Sequence, residues 1–206
     1  MVMEHHYSQR KVGTRFCFGM FEDNQLVGCT VFSIPASYTL CKGICGPEYK
    51  ADVLELSRVV VTTESYCAAG KLVSHSLRNI GNHIVVSYAD CNDHVGHLGI
   101  LDQATNWIYT GQGTAEPKWV HPKTGDVVSF TRRHIDKKAE RLGLDWKALQ
   151  KIPQLGKHRY VIFTGNRRYR KSARRSLRYP VQKYPKGKTQ RTYQRSISSE
   201  SGKLFT

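Results

Sequence analysis

Residues 53–61 read Val53-Leu54-Glu55-Leu56-Ser57-Arg58-Val59-Val60-Val61, and residues 84–90 read Ile84-Val85-Val86-Ser87-Tyr88-Ala89-Asp90. β-Branched residues dominate both runs, which predicts two core strands. Between them a small, polar turn over residues 62–70 leads into a stretch whose apolar positions 72, 73, 77 and 80 keep helical spacing. Strand, glycine-bearing turn and helix N-terminus is an arrangement that cradles phosphates and other anions. On strand alternation Glu55, Ser57 and Val59 share one face and Arg58 takes the other. An arginine inside so apolar a run needs a partner, either a structural carboxylate or an anionic ligand. Asp90 ends the second strand, a position where α/β proteins place acceptors and bases, or where it caps the next turn.

Outward from this pair, residues 14–34 read as a hairpin turning at Glu22-Asp23-Asn24-Gln25, and residues 36–52 read as a loop. Cys41 and Cys45 in that loop are too few for a zinc site. Leu98–Trp107 predicts a short helix and residues 107–111 a strand. A second hairpin is expected about Lys123-Thr124-Gly125-Asp126, then a helix over 136–152 with Leu142, Trp146 and Leu149 on one side, then a strand over 159–164. His94 and His97 stand three apart beside Asp90, although Gly96 and Gly99 interrupt a regular helix there. His5, His6 and Tyr7 form a cluster that fits metal or substrate binding, or a plain terminal segment.

The net charge is +16, and residues 156–195 hold fourteen Lys/Arg with no Asp or Glu. The remaining 166 residues thus carry only +2. A polycation this localised points to a polyanionic partner, nucleic acid first. Arg167, Arg168, Arg170, Lys171, Arg174 and Arg175 are its densest part, with Tyr169, Tyr179, Tyr184 and Tyr193 interleaved as candidates to stack on bases. The expected division is a catalytic domain over 1–164 and a basic, partly disordered tail over 165–206. No run of eighteen apolar residues and no signal-peptide pattern occurs, so membrane spanning and secretion are not expected, a cytoplasmic location is, and the six cysteines read as thiols.

The element order resembles the GNAT acyltransferase fold. Finer motifs resemble the Mom-type DNA-modification proteins of bacteriophages, a divergent GNAT branch: His-Tyr-Ser at 6–8, Glu-Leu-Ser-Arg at 55–58, Ser-Tyr-Ala-Asp at 87–90, Gly-His-x-Gly at 96–99 and Gln-Ala-Thr-Asn-Trp-Ile-Tyr-Thr-Gly at 103–111. The resemblance implies an α+β, GNAT-like fold with a mixed, mostly antiparallel sheet flanked by helices and a basic extension. It implies transfer of a carbamoylmethyl (glycinamide-sized) group to adenine N6 in phage DNA, shielding that DNA from host restriction enzymes. It also leaves room for iron, with His5, His6, His94 and His97 as candidate ligands. Two departures stand out: Asp102 occupies the place of a family tyrosine before Gln103, and Gly70 that of a serine, with Ser74 four residues on. Nor does Ser65–Lys71 carry the usual GNAT phosphate-turn pattern.

Adenine N6 is a poor nucleophile buried in the duplex, so double-stranded DNA has to present a flipped-out base. A strand-end carboxylate, Asp90, aligns the amine and removes its proton. Tyr88 or Tyr109 stacks on the base or donates to the leaving group, Arg58 balances charge, and Ser87 stands among them. Gly70, Lys71 and Ser74 mark the donor side, with acyl-CoA, an aminoacyl-tRNA acting as carrier, or a small metabolite as donor. His6, Tyr7 and the six tail cations are expected to contact DNA. Two other readings fit parts of the chain: a GNAT N-acetyltransferase acting on a protein or small amine, and a non-enzymatic nucleic-acid-binding protein.

Overall fold

A computed structural model describes residues 1–6, 11–92, 96–115, 117–129, 132 and 134–187; Tyr7, His94 and Tyr193 lie outside them. A short helical turn, α1 (Val2–His5), precedes the hairpin of β1 (Phe16–Glu22) and β2 (Gln25–Ser33). Asp23 and Asn24 close that hairpin with φ of 47° and 62°, the two-residue turn whose twist matches the flanking strands. Next come α2 (Tyr38–Cys45), β3 (Val53–Val61), α3 (Ala68–Asn79), β4 (Ile84–Ala89), α4 (Ile100–Ala104) and β5 (Ile108–Gln112). Beyond them lie β6 (Lys118–Val120), β7 (Val127–Ser129), α5 (Ile135–Glu140), β8 (Gln150–Ile152), β9 (His158–Phe163) and α6 (Arg167–Arg175).

The main sheet has the order β1-β2-β3-β4-β9-β5; β3 and β4 are parallel and the other neighbours antiparallel. The fold is therefore α+β, a mixed and mostly antiparallel sheet flanked by helices. On one face Leu54, Leu56, Val85 and Ala89 pack with Val73 and Leu77 of α3. On the other Val53, Ile84 and Val86 pack with Cys41, Ile44 and Cys45 of α2 and Ala173 of α6. Residues 113–157 insert a satellite: the sheet β7-β6-β8 over Ile135, Ala139 and Leu149, flanked by Trp119 and Trp146.

Three expectations need correction. Residues 36–52 form no loop: Ser37 caps α2 by accepting from Leu40 N (3.1 Å), and Pro47 opens a 3₁₀ turn over Pro47–Asp52. The helix expected over 136–152 ends at Glu140. Gly143 takes φ 68°, and Lys118, Trp119 and Val120 pair with Ile152, Lys151 and Gln150 instead. The strict alternation along β3 also fails. Val31 faces Arg58 while Phe32 faces Leu56, so Ser57 is a bulge, and beyond it Val59 packs on the α3 side. One extra residue inverts the parity, so Arg58 shares the α2 side with Glu55.

Residues 167–187, read as the start of a tail, pack on the sheet. Tyr169 and the fully buried Ala173 anchor α6, Tyr169 donating to Asp52 (2.8 Å). The strap that follows bonds Arg178 N to Ile44 O (2.8 Å) and Gln182 N to Tyr109 O (2.9 Å), and Tyr184 donates to the Trp107 carbonyl (2.6 Å). It thereby covers the edge strand β5, whose free N–H and C=O groups would otherwise be open to pairing.

Candidate functional site

β3 and β4 pair through three positions, Val53 with Ile84, Leu54 with Val85 and Glu55 with Val86. Beyond these β3 pairs with β2 and β4 with β9, so the central strands part. The Ser57 bulge turns Arg58 onto the side of this gap that Glu55 and Tyr88 share. The residues at and below the opening come from five elements: His6 after α1, Glu55 and Arg58 from β3, Ser87 and Tyr88 from β4, Asp90 and His97 after β4, and Lys157 before β9.

These groups set one another's ionisation. Burial pushes the Glu55 carboxyl up, and Lys157 and Arg58 draw it back. Burial also pushes Tyr88 up to about 12 despite Arg159. At Asp90 burial raises the carboxyl, but hydrogen bonds from Asn92 and the charge of Lys157 outweigh it, leaving the group below its ordinary value. Asp90 Oδ1 accepts from Asn92 N (3.1 Å) and Nδ2 (2.7 Å), and Oδ2 lies 3.2 Å from Lys157 Nζ. Such a carboxylate stays charged and serves better as an acceptor and anchor than as a base working near neutrality. Desolvation lowers His6 to about 4, helped by Arg58 and His97, and lowers His97 against the pull of Asp90. His6 is thus neutral near neutral pH.

The structure brings Arg58, Tyr88, Asp90, His6 and His97 together, but not Tyr109. That ring is buried, tilted on Tyr160 (centroids 5.2 Å), with its hydroxyl on His158 Nδ1 (2.8 Å), so it has no face for a base. Gly70, Lys71 and Ser74 lie in the first two turns of α3. Above Gly70 no atom stands within 4 Å of where a Cβ would be, so the helix start is open there. Glu22 fastens the preceding turn by accepting from Thr63 (2.7 Å) and Ser65 (2.6 Å). His5 is 3.8 Å from Glu4 at the surface. Among the described residues no three His, Cys, Asp or Glu side chains gather as a metal site. His94, one of the four candidate iron ligands, lies outside the described residues.

On α6, Arg167, Arg168, Arg170, Lys171, Arg174 and Arg175 are all exposed, while Tyr169 and Ala173 point inward. Of the tyrosines expected to stack on bases, Tyr169, Tyr179 and Tyr184 pack within the protein. Besides the Tyr169 and Tyr184 bonds, Tyr179 lies 3.6 Å beneath the Arg159 guanidinium.

Two groups escaped the sequence reading. Asn92 bridges Asp90 to the β8–β9 connection, accepting from Leu155 N (2.7 Å). Asp102 is buried at 8 % exposure, and burial raises its carboxyl to about 6 although the neighbouring Ser87 hydroxyl lowers it. Its sequence signal is the family departure at that position, where Asp102 takes the place of a tyrosine.

A family model described as the Mom protein family matches residues 1–186. No curated protein matches the chain. No helix among the described residues is long and apolar enough to cross a membrane.

Proposed function

This chain belongs to the Mom protein family of phage DNA-modification proteins, and from that premise we propose that it is a GNAT-like transferase placing a carbamoylmethyl group on adenine N6 in DNA, which shields phage DNA from host restriction. The observation that carries this reading is the parting of β3 and β4 beyond Glu55 and Val86, with Arg58, Tyr88 and Asp90 beside the opening. A flat base with an exocyclic amine needs a slot, an acceptor and an aromatic neighbour, and this opening has all three kinds of group.

In this reading Asp90, held ionised by Asn92 and Lys157, accepts an N6 hydrogen and aligns the amine lone pair on the donor's methylene carbon; the N6–CH2 bond forms as that carbon's bond to its leaving group breaks, the leaving group departs with the electron pair, and the N6 proton passes to it through water. Arg58, whose charge draws the Glu55 carboxyl down, balances charge on the donor group, and Tyr88 packs against the base. His6 contributes a neutral imidazole to the same side. The open start of α3 at Gly70, Lys71 and Ser74 receives the donor, an acyl-CoA, an aminoacyl-tRNA or a small metabolite carrying the two-carbon amide. The outward cations of α6 neutralise phosphates of double-stranded DNA while the target adenine is flipped out.

Nucleoside mass spectrometry on DNA from cells expressing the protein tests this. The expected result is a deoxyadenosine heavier by C2H3NO. Unchanged nucleosides under good expression overturn the reading.

A further inference from the structure

Arg159 stands directly across from Tyr88 in the antiparallel register of β4 and β9, so the two side chains share the α2 side of the sheet. On its other flank β5 sets two residues, Thr110 and Gly111, against Arg159 alone, and Gly111 takes φ 87°. At this bulge Thr110 grips the guanidinium along one edge. Arg159 Nε donates to Thr110 Oγ1 (2.9 Å) and Nη2 to the Thr110 carbonyl (3.2 Å). The Tyr179 ring, its centroid 3.6 Å from Cζ, covers one face of the plane. Tyr179 is itself pinned, because the strap bonds Arg178 N to Ile44 O before it and Gln182 N to Tyr109 O after it. A methyl on Gly43 would stand 3.1 Å from the Tyr179 hydroxyl, so α2 closes on the far end of the ring.

A guanidinium carries five N–H groups in a rigid fork, and Thr110 takes two of them on the Nε/Nη2 edge. Among the described residues the other three meet no acceptor, and no carboxylate lies within ion-pair distance of Arg159. The Nη1/Nη2 edge is thus left open. A half-buried cation held in a fixed plane without a counter-ion is set to receive an anion. Resting on the reading of the β3–β4 gap as an adenine slot, we propose that Arg159 binds the backbone phosphate of the flipped nucleotide while Tyr88, across the strand pair, packs against its base. Paired strands run about 4.8 Å apart, a separation that a single nucleotide bridges between its base and its own phosphate. The exposed α6 cations gather phosphates in any register. A fork locked on Thr110 and Tyr179 instead fits two oxygens of one phosphate, and so fixes which nucleotide enters the gap.

The test measures binding of the full chain to a single-stranded thymidine oligonucleotide with one central adenine, and no group donor is needed. It is made with natural phosphates, with neutral methylphosphonates on both sides of the adenosine, or with the same pair moved several nucleotides away. An all-thymidine twin reports whether the adenine sets the register. The wild-type protein should prefer the adenine oligonucleotide, and the flanking pair should cost about tenfold more affinity than the distant pair, the value of a charged hydrogen bond. In Arg159→Gln the two placements should cost the same, a coupling that the double-mutant comparison isolates from the α6 cations and from Asp90. Tyr179→Leu, which keeps the charge and frees its plane, should shrink the difference. A purely structural Arg159 would lower the melting temperature of Arg159→Gln and leave the difference intact, which overturns the proposal. Equal costs in the wild type beside an intact adenine preference also overturn it, with no variant needed, and leave the adenine slot standing. Absence of any adenine preference overturns the slot and the contact together. A placement effect that Arg159→Gln abolishes, in a protein that leaves cellular nucleosides unchanged, overturns the proposed transfer and leaves the phosphate contact standing.

Discussion

Replacing Asp102 by asparagine should change how folding stability responds to pH, whatever it does to DNA. The folded carboxyl sits at about 6 against an ordinary 3.8, with burial as the largest cause and the Ser87 hydroxyl opposing it. A group raised on folding contributes stability that is fully present below its unfolded pKa and is lost as pH rises through the folded one. The difference corresponds to about 3 kcal/mol withdrawn between roughly pH 3.5 and 7.5. Asparagine does not titrate, so the stability of the variant relative to wild type should rise by about that amount over the window. His6 acts in the opposite direction across part of the same range, since its folded pKa is depressed to about 4 from 6.5. It is present in both proteins and cancels in the difference. Urea denaturation at half-unit pH intervals is the assay, with equal m-values as the check that both unfold to the same state. A variant-minus-wild-type difference that stays flat with pH would refute the assignment of a buried carboxyl, raised by desolvation, to this position.

Three further outcomes follow from the same geometry. His6→Gln should remove a stabilising contribution that is present above about pH 6.5 and fades toward pH 4, so its cost measured by urea denaturation should shrink on acidification. Gly99→Ala should lower stability by about 2–4 kcal/mol in thermal unfolding, because the new methyl meets the Tyr160 ring in a left-handed backbone; a neutral result would show that α4 is free to move off β9. Changing Arg167, Arg168, Lys171 and Arg174 together to glutamine should leave the melting transition in place and reduce the salt slope of DNA binding by about 3–4. An unchanged slope would remove α6 from the DNA interface.

The sequence made the core strands and the β1–β2 hairpin legible because their β-branched runs and turn chemistry are local signals. Apolar periodicity located β3, α3 and β4 to within a few residues. The place of β9 between β4 and β5 left no such trace, since the insertion of residues 113–157 separates it in sequence from both neighbours. α2 was missed because its apolar side is made of Cys41, Ile44 and Cys45, which read as scattered thiols among polar residues. The helix expected over 136–152 failed for the converse reason: Leu142, Trp146 and Leu149 fit a helical stripe, but Gly143 in the left-handed region ends it, and while Leu149 enters the satellite core and Trp146 packs against it, Leu142 is exposed. At the gap, residue types were readable and their grouping was not. A bulge has no residue signature in Leu56-Ser57-Arg58, yet that one extra residue decides that Arg58 shares a sheet face with Glu55.

The basic segment shows how charge can mislead about architecture. Fourteen cations without an acid read as a basic, partly disordered nucleic-acid-binding tail, and within residues 167–187 the residues between the cations do structural work. Tyr169 and Ala173 seat α6, Tyr179 takes the Arg159 guanidinium on its ring, and Gln182 and Tyr184 bond the backbone of Tyr109 and Trp107 at the sheet edge. A helix carrying six exposed cations in nine residues repels itself, and these inward anchors hold it folded before any phosphate arrives. The proposed DNA-binding face, prepared in this way, loses little further entropy when it docks. It also follows that truncation before Arg167 is a poor test of DNA contact. It would strip cover from β5 and from the Ile44–Phe163 core along with the charges, so lost binding would report lost folding. Substitution confined to the outward cations separates the two, because Tyr169 and Ala173 then still hold the helix against the sheet.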